Sequence, residues 1–95
     1  MPEGPEVQTI VNDLRSLIIN QKLLNVEIVD ELLKNNNNYN LLSKTFGQKV
    51  NNVYRLGKYI VIELEDISMA IHLRMTGSLV KNINKYTRAK IYFND

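Results

Sequence analysis

The chain contains no cysteine among its 95 residues, so no disulfide can staple it and no thiolate can hold a metal. That absence fits a reducing compartment. No apolar run approaches the ~18–20 residues of a membrane-spanning helix. The first residues lack the basic and apolar segments of a secretory leader. A soluble, cytoplasmic domain without membrane contact is the expectation. Proline is nearly absent, occurring only as Pro2 and Pro5, and histidine occurs once, as His72. What remains suits one small domain over residues 1–95, because a hydrophobic content of 44% supplies a core. A chain of this length buries roughly 60–65% of its unfolded surface.

The net charge of +2 is unevenly spread. Residues 1–33 carry two basic and six acidic side chains, whereas residues 34–95 carry ten basic and four acidic. Such asymmetry is compatible with one face that binds a polyanion.

Met1-Pro2-Glu3-Gly4-Pro5-Glu6 concentrates the chemistry. If Met1 is removed, Pro2 presents a secondary amine, and α-amines titrate near ~7.7–8.0. About a tenth is then free base at neutral pH, enough for a nucleophile toward an aldehyde-like carbon. Glu3 is close enough in sequence to move the protons. The plain alternative is that Pro5 and Glu6 only start a helix, since proline suits the first helical position and acids the first turn.

Val7, Ile10, Val11, Leu14, Leu17 and Ile18 recur at helical spacing, so a helix is expected from Gly4 as N-cap to about Asn20. Its positive end would bias a nearby amine toward the neutral form. Leu24 to Asp30 reads as a strand. Lys34 to Asn40, with the asparagine run Asn35–Asn38, reads as a polar surface loop. A short helical turn is expected from Leu41 to Phe46, stopped by Gly47. Strands follow over residues 49–56, 59–65 and 69–73, with a turn at Thr76-Gly77, a short strand over 78–82 and a last strand over 89–93. The closing Asn94-Asp95 is turn chemistry, which normally leads to a partner strand, so the chain is expected to be a piece of something longer. The fold class is α+β and β-rich: a two-layer antiparallel β-sandwich flanked by a long N-terminal helix and a second short helix.

Three further stretches could carry function. In Gly57-Lys58-Tyr59 the glycine lets backbone approach a ligand and the lysine can meet a phosphate. His72-Leu73-Arg74-Met75-Thr76-Gly77 sets an apolar side chain beside a turn, where it could wedge into a base stack. Arg88 and Lys90 flank the last strand and could touch phosphates. Each has a plain alternative: a solvated lysine at a turn, a structural histidine on an apolar strand, ordinary surface cations.

Together these stretches resemble one family. Pro2-Glu3-Gly4-Pro5-Glu6, Gly57-Lys58-Tyr59-Ile60 and His72-Leu73-Arg74-Met75-Thr76-Gly77 are similar, in order and spacing, to the N-terminal domain of formamidopyrimidine-DNA glycosylase and its endonuclease VIII relatives. The resemblance implies base-excision DNA repair by a bifunctional DNA glycosylase and AP lyase, working through a Schiff base on an N-terminal proline. It implies Pro2 as nucleophile on a flipped-out nucleotide, Glu3 acting at the ribose ring oxygen, Glu6 in support and Lys58 gripping a phosphate. Met75 would fill the void left by the extruded base, with His72, Arg74, Arg88 and Lys90 on the DNA. The implied partner is double-stranded DNA with an oxidised base or abasic site, bound by a monomer in the cytoplasm of a prokaryote, at its nucleoid.

Two departures bear on the lesion. Arg74 stands where the family commonly has glycine, and Gly4 is more usual in the endonuclease VIII branch, whereas His72 to Gly77 resemble the formamidopyrimidine branch. Oxidised purines such as 8-oxoguanine and formamidopyrimidines are favoured over oxidised pyrimidines. No cofactor is expected in this chain, because the family's structural zinc sits in a C-terminal finger absent here. With the helix–two-turn–helix module and finger missing, the piece alone is expected to bind duplex DNA weakly and turn over poorly, since phosphate contacts supply much of the affinity. A non-catalytic nucleic-acid-binding module and a purely structural β-domain are the competing classes.

Overall fold

A computed structural model describes residues 4–35, 37–73, 77–80 and 84–94. The elements run α1 (Gly4–Ile18), β1 (Lys22–Ile28), α2 (Glu31–Asn35), α3 (Tyr39–Ser43), β2 (Asn52–Leu56), β3 (Tyr59–Glu63), β4 (Ser68–His72) and β5 (Ala89–Asn94). The fold is a helix set on antiparallel sheets: β1 pairs with β5, and β2, β3 and β4 form a meander in that order.

Helix α1 forms because Val7, Val11 and Ile18 fall on one stripe and bury fully, with Ile10 and Leu14 packed beside them. Leu17, which the spacing assigns to that stripe, is instead exposed (44%) because it falls at the stripe's margin. The helix begins at Gly4 itself and ends at Ile18, two residues short of expectation. Asn20 closes it in the left-handed region (φ 68°), and its amide donates to the Val50 carbonyl at 2.9 Å. Arg15 ties the helix to the meander by donating from Nε to the Val53 carbonyl at 2.8 Å.

The core joins α1 to both sheets: Leu23 and Val26 of β1 meet Val53, Ile60, Ile62 and Met69 of the meander. Val53 pairs with Ile62 and Arg55 with Ile60, so these four share the face toward α1, while Tyr59, Val61 and His72 lie on the other.

The asparagine run departs from the expected loop. Asn35 is the last residue of α2, and Asn38 is the N-cap of α3, its Oδ1 accepting from the amides of Asn40 (2.9 Å) and Leu41 (3.3 Å). Asparagine suits this task because its side-chain oxygen replaces the acceptor a first helical turn lacks. Neither short helix has a fully buried residue, so the segment is a surface excursion as expected. Among the described residues there are two short helices where one is expected.

Residues 49–51 precede β2 rather than belonging to it; Lys49 makes only an isolated bridge to Lys22. Residues 78–80 form no strand, and 81 and 82 lie outside the described residues. Strand β5 pairs with β1, which precedes it in sequence, from Lys22↔Asn94 to Ile28↔Ala89 with a register shift between Leu23 and Asn25. Among the described residues, no helix is long and apolar enough to cross a membrane.

Candidate functional site

Pro2, Glu3, Arg74 and Met75 lie outside the described residues. The other candidate residues are described. Glu6 is exposed in the first turn of α1. Lys58 is exposed in the two-residue connection between β2 and β3, whose flanking residues Leu56 and Tyr59 pair. Gly57 there has φ +62°, the pattern of a type II′ hairpin turn, which matches the twist of the strands and favours glycine at its first central position.

These two elements are joined by Arg55 of β2, a residue that motif reasoning passed over. Its Nη1 donates to the Gly57 carbonyl at 3.0 Å, and its Nε donates to Gln8 Oε1 at 3.3 Å. The same Nη1 lies 3.2 Å from where a Cβ on Gly4 would stand. Gln8 in turn donates to Asn12 Oδ1 at 3.0 Å. The start of α1 is thus bonded to the lysine-bearing turn. The sequence signal was available: Arg55 is the cation that alternation places on the helix-facing side, at the end of the row containing Val53.

His72 ends β4 and pairs with Tyr59. Their rings meet edge to face at 5.0 Å and 75°, a contact worth about 0.5–1.5 kcal/mol beyond burial. The histidine is half-buried on the sheet face away from α1, so it shares the turn's neighbourhood but not the helix side. Thr76 of the expected Thr76-Gly77 turn lies outside the described residues; the Gly77 amide donates to the Leu73 carbonyl at 3.0 Å. A Cβ at Gly77 would collide with that carbonyl oxygen and with the carbonyl carbon, both backbone atoms that cannot swing aside. Gly77→Ala is therefore expected to destabilise the protein by about 1–3 kcal/mol. The check is thermal melting together with amide exchange at residue 77; a variant with parental melting and protection would contradict the close approach of Gly77 to the Leu73 carbonyl.

Arg88 and Lys90 are set apart from this junction, on and beside β5. Arg88 Nη2 meets Asp30 Oδ1 at 3.3 Å, and Lys90 Nζ meets Glu27 Oε1 at 3.6 Å, where the Tyr92 hydroxyl also donates at 3.1 Å. Both cations are thus part-neutralised by acids of the β1 side, although Arg88 keeps 52% of its side-chain exposure.

Asp30 also caps α2 by accepting from the Leu33 amide at 3.0 Å. That amide first, and Arg88 second, hold the Asp30 carboxyl below the ordinary carboxylate value of 3.8. A carboxyl made more acidic by folding stabilises the native state above its unfolded pKa, and that contribution fades as pH falls through the folded one. Asp30→Asn is expected to lower the melting temperature at neutral pH, and the two proteins should converge well below pH 3.8. A gap that persisted in acid would contradict the assignment.

Comparison with known proteins falls on this architecture. Residues 1–95 match the family described as formamidopyrimidine-DNA glycosylase N-terminal domain. A formamidopyrimidine-DNA glycosylase from Streptococcus agalactiae is 35% identical over 86 residues, covering 90% of this chain and 31% of that protein. The solved Lactococcus lactis enzyme, bound non-covalently to DNA containing an AP site, superposes with a TM-score of 0.81 at 26% identity, over 99% of this chain and 38% of that one. A MutM structure in complex with DNA containing carbocyclic 8-oxo-G gives 0.83 at 28% identity, with the same coverage. A long helix on antiparallel sheets is the fold these superpositions support. The chain belongs to the formamidopyrimidine-DNA glycosylase family, as an N-terminal domain. It spans about a third of the length of the relatives it matches.

Proposed function

We propose that this chain supplies the catalytic end of a base-excision repair enzyme, a DNA glycosylase with AP lyase activity toward oxidised bases, purines such as 8-oxoguanine and formamidopyrimidines first among them. Its place of action is the bacterial cytoplasm, on chromosomal DNA. The observation that supports the reading is the bonded junction between the first turns of α1 and the Gly57-Lys58 turn, found in a chain of this family.

In this reading Met1 is removed and the Pro2 amine attacks C1′ of a nucleotide flipped out of the duplex. The bond from C1′ to the base breaks, its electron pair leaves with the base, and the base takes up a proton. Glu3 assists at the ribose ring oxygen, so that the sugar opens to an iminium between the Pro2 nitrogen and C1′. Loss of the C2′ proton expels the 3′ phosphate, and loss of the C4′ proton then expels the 5′ phosphate. Water hydrolyses the final imine and frees the amine. Lys58 holds a phosphate beside the lesion, with His72, Arg74, Arg88 and Lys90 on the backbone and Met75 in the vacated stack. Glu6 supports the catalytic centre from the first turn of α1.

The test is strand cleavage by the protein at its natural length. Duplexes would carry 8-oxoguanine, a formamidopyrimidine, an oxidised pyrimidine or no lesion. Cutting at the lesion that leaves phosphates on both flanks, fastest on the purines, is the expected result. Salt-sensitive binding with no cleavage would instead establish a non-catalytic module, and faster cutting at the pyrimidine would overturn the lesion choice.

A further inference from the structure

We infer that Arg55 is a positioning residue for the reaction, holding the Lys58 turn in register with the amine-bearing end of α1; this rests on the reading of Pro2 and Lys58 given above. One guanidinium meets two segments that are far apart in sequence, the β2–β3 turn and the start of α1. Nη1 donates to the Gly57 carbonyl at 3.0 Å. Nε donates to Gln8 Oε1 at 3.3 Å, on the second turn of α1. Nη1 also packs over Gly4, 3.2 Å from the place of an absent Cβ. Gln8 is itself held by Asn12, to which its Nε2 donates at 3.0 Å.

Each contact lies one or two residues from a group the chemistry uses. The Gly57 carbonyl belongs to the peptide that continues into Lys58, so fixing its direction fixes where the Lys58 side chain starts. Gly4 follows Pro2 and Glu3 directly. Among the described residues, another bond between α1 and β2, from Arg15 to Val53, lies at the far end of the helix. A rigid planar fork suits this role better than a lysine, whose ammonium is a single point donor.

Arg55 is exposed and its partners are neutral, so its removal should barely affect melting. Its effect is instead on geometry, where a displacement of about 1 Å can cost up to about 10²-fold in rate. The experiment measures borohydride trapping on abasic-site DNA at saturating DNA, with the natural-length protein and its Arg55→Ala and Arg55→Lys variants. Arg55→Ala is expected to trap about tenfold more slowly or worse while melting like the parent. Arg55→Lys keeps the charge, so it should bind DNA within about twofold of the parent yet still trap several-fold more slowly. Parental trapping by both variants, or a defect that disappears on adding more DNA, would overturn the inference.

A second readout stands apart from the chemistry. Amide exchange at residues 57–59 and in the first turn of α1 should quicken together in Arg55→Ala. If the parent fails to trap, the Pro2 reading falls, but this exchange pattern still decides the clamp. Unchanged exchange would remove it.

Discussion

A protein that retains Met1 ahead of Pro2 is expected to lose covalent capture by borohydride on abasic-site DNA, and one that carries Pro2→Gly to be impaired in it. The two changes act differently and together isolate the amine. Retained Met1 converts the secondary amine of Pro2 into a tertiary amide, which has no nucleophilic lone pair. Pro2→Gly leaves an amine at the same chain position but as a primary one, without the ring that fixes its direction. Retention should reduce trapping on the order of 10³-fold or more, as expected when a covalent nucleophile is removed. Pro2→Gly should fall between, because position is kept while the proline amine is lost. Neither change touches the core that begins at Val7, so both proteins should melt like the parent. Trapping at the parental rate by the Met1-retaining form would rule out the N-terminal amine.

Ile60→Ala is expected to produce the largest loss of stability among single changes near the site. Ile60 is 0% exposed and lies on β3 two residues after Lys58, between Arg55 of β2 and Ile71 of β4. Truncating a buried isoleucine removes transfer free energy and leaves a cavity, costing about 2–5 kcal/mol. A domain's whole stability is about 5–15 kcal/mol. At roughly 4–8 °C per kcal/mol for a domain of this size, melting should fall by roughly 10–30 °C. The contrast is Leu56→Ala in the same hairpin: Leu56 is 64% exposed, so its truncation should cost no more than about 0.5 kcal/mol. Equal effects from the two would contradict the burial that places the hairpin against α1.

Much of this was legible in the sequence, for identifiable reasons. The stripe of Val7, Val11 and Ile18 is long enough for its period to define α1, and the Val-, Ile- and Tyr-rich runs on either side of Gly57 mark β2 and β3. The asparagine run misled because composition alone favours a loop, whereas Asn38 works through one side-chain oxygen that starts α3. The partner of β5 was missed because antiparallel pairing across some sixty residues leaves no local mark; β1 and β5 are matched by tertiary packing. Among the candidate residues, Lys58 and His72 stand out through motifs, and the structure sets His72 against Tyr59. Arg55 escaped because an arginine at a strand end has no signature of its own. Its significance depends on Gln8, 47 positions away in sequence, being brought beside it.

The account turns on which nitrogen becomes bonded to DNA. The most direct measurement is mass spectrometry of the borohydride-reduced adduct after nuclease and protease digestion. The reduced sugar remnant should be found on the N-terminal peptide beginning at Pro2, attached to its ring nitrogen, with Lys58 unmodified. A remnant on Lys58 or another lysine, or no adduct from a protein shown to have lost Met1, would contradict it.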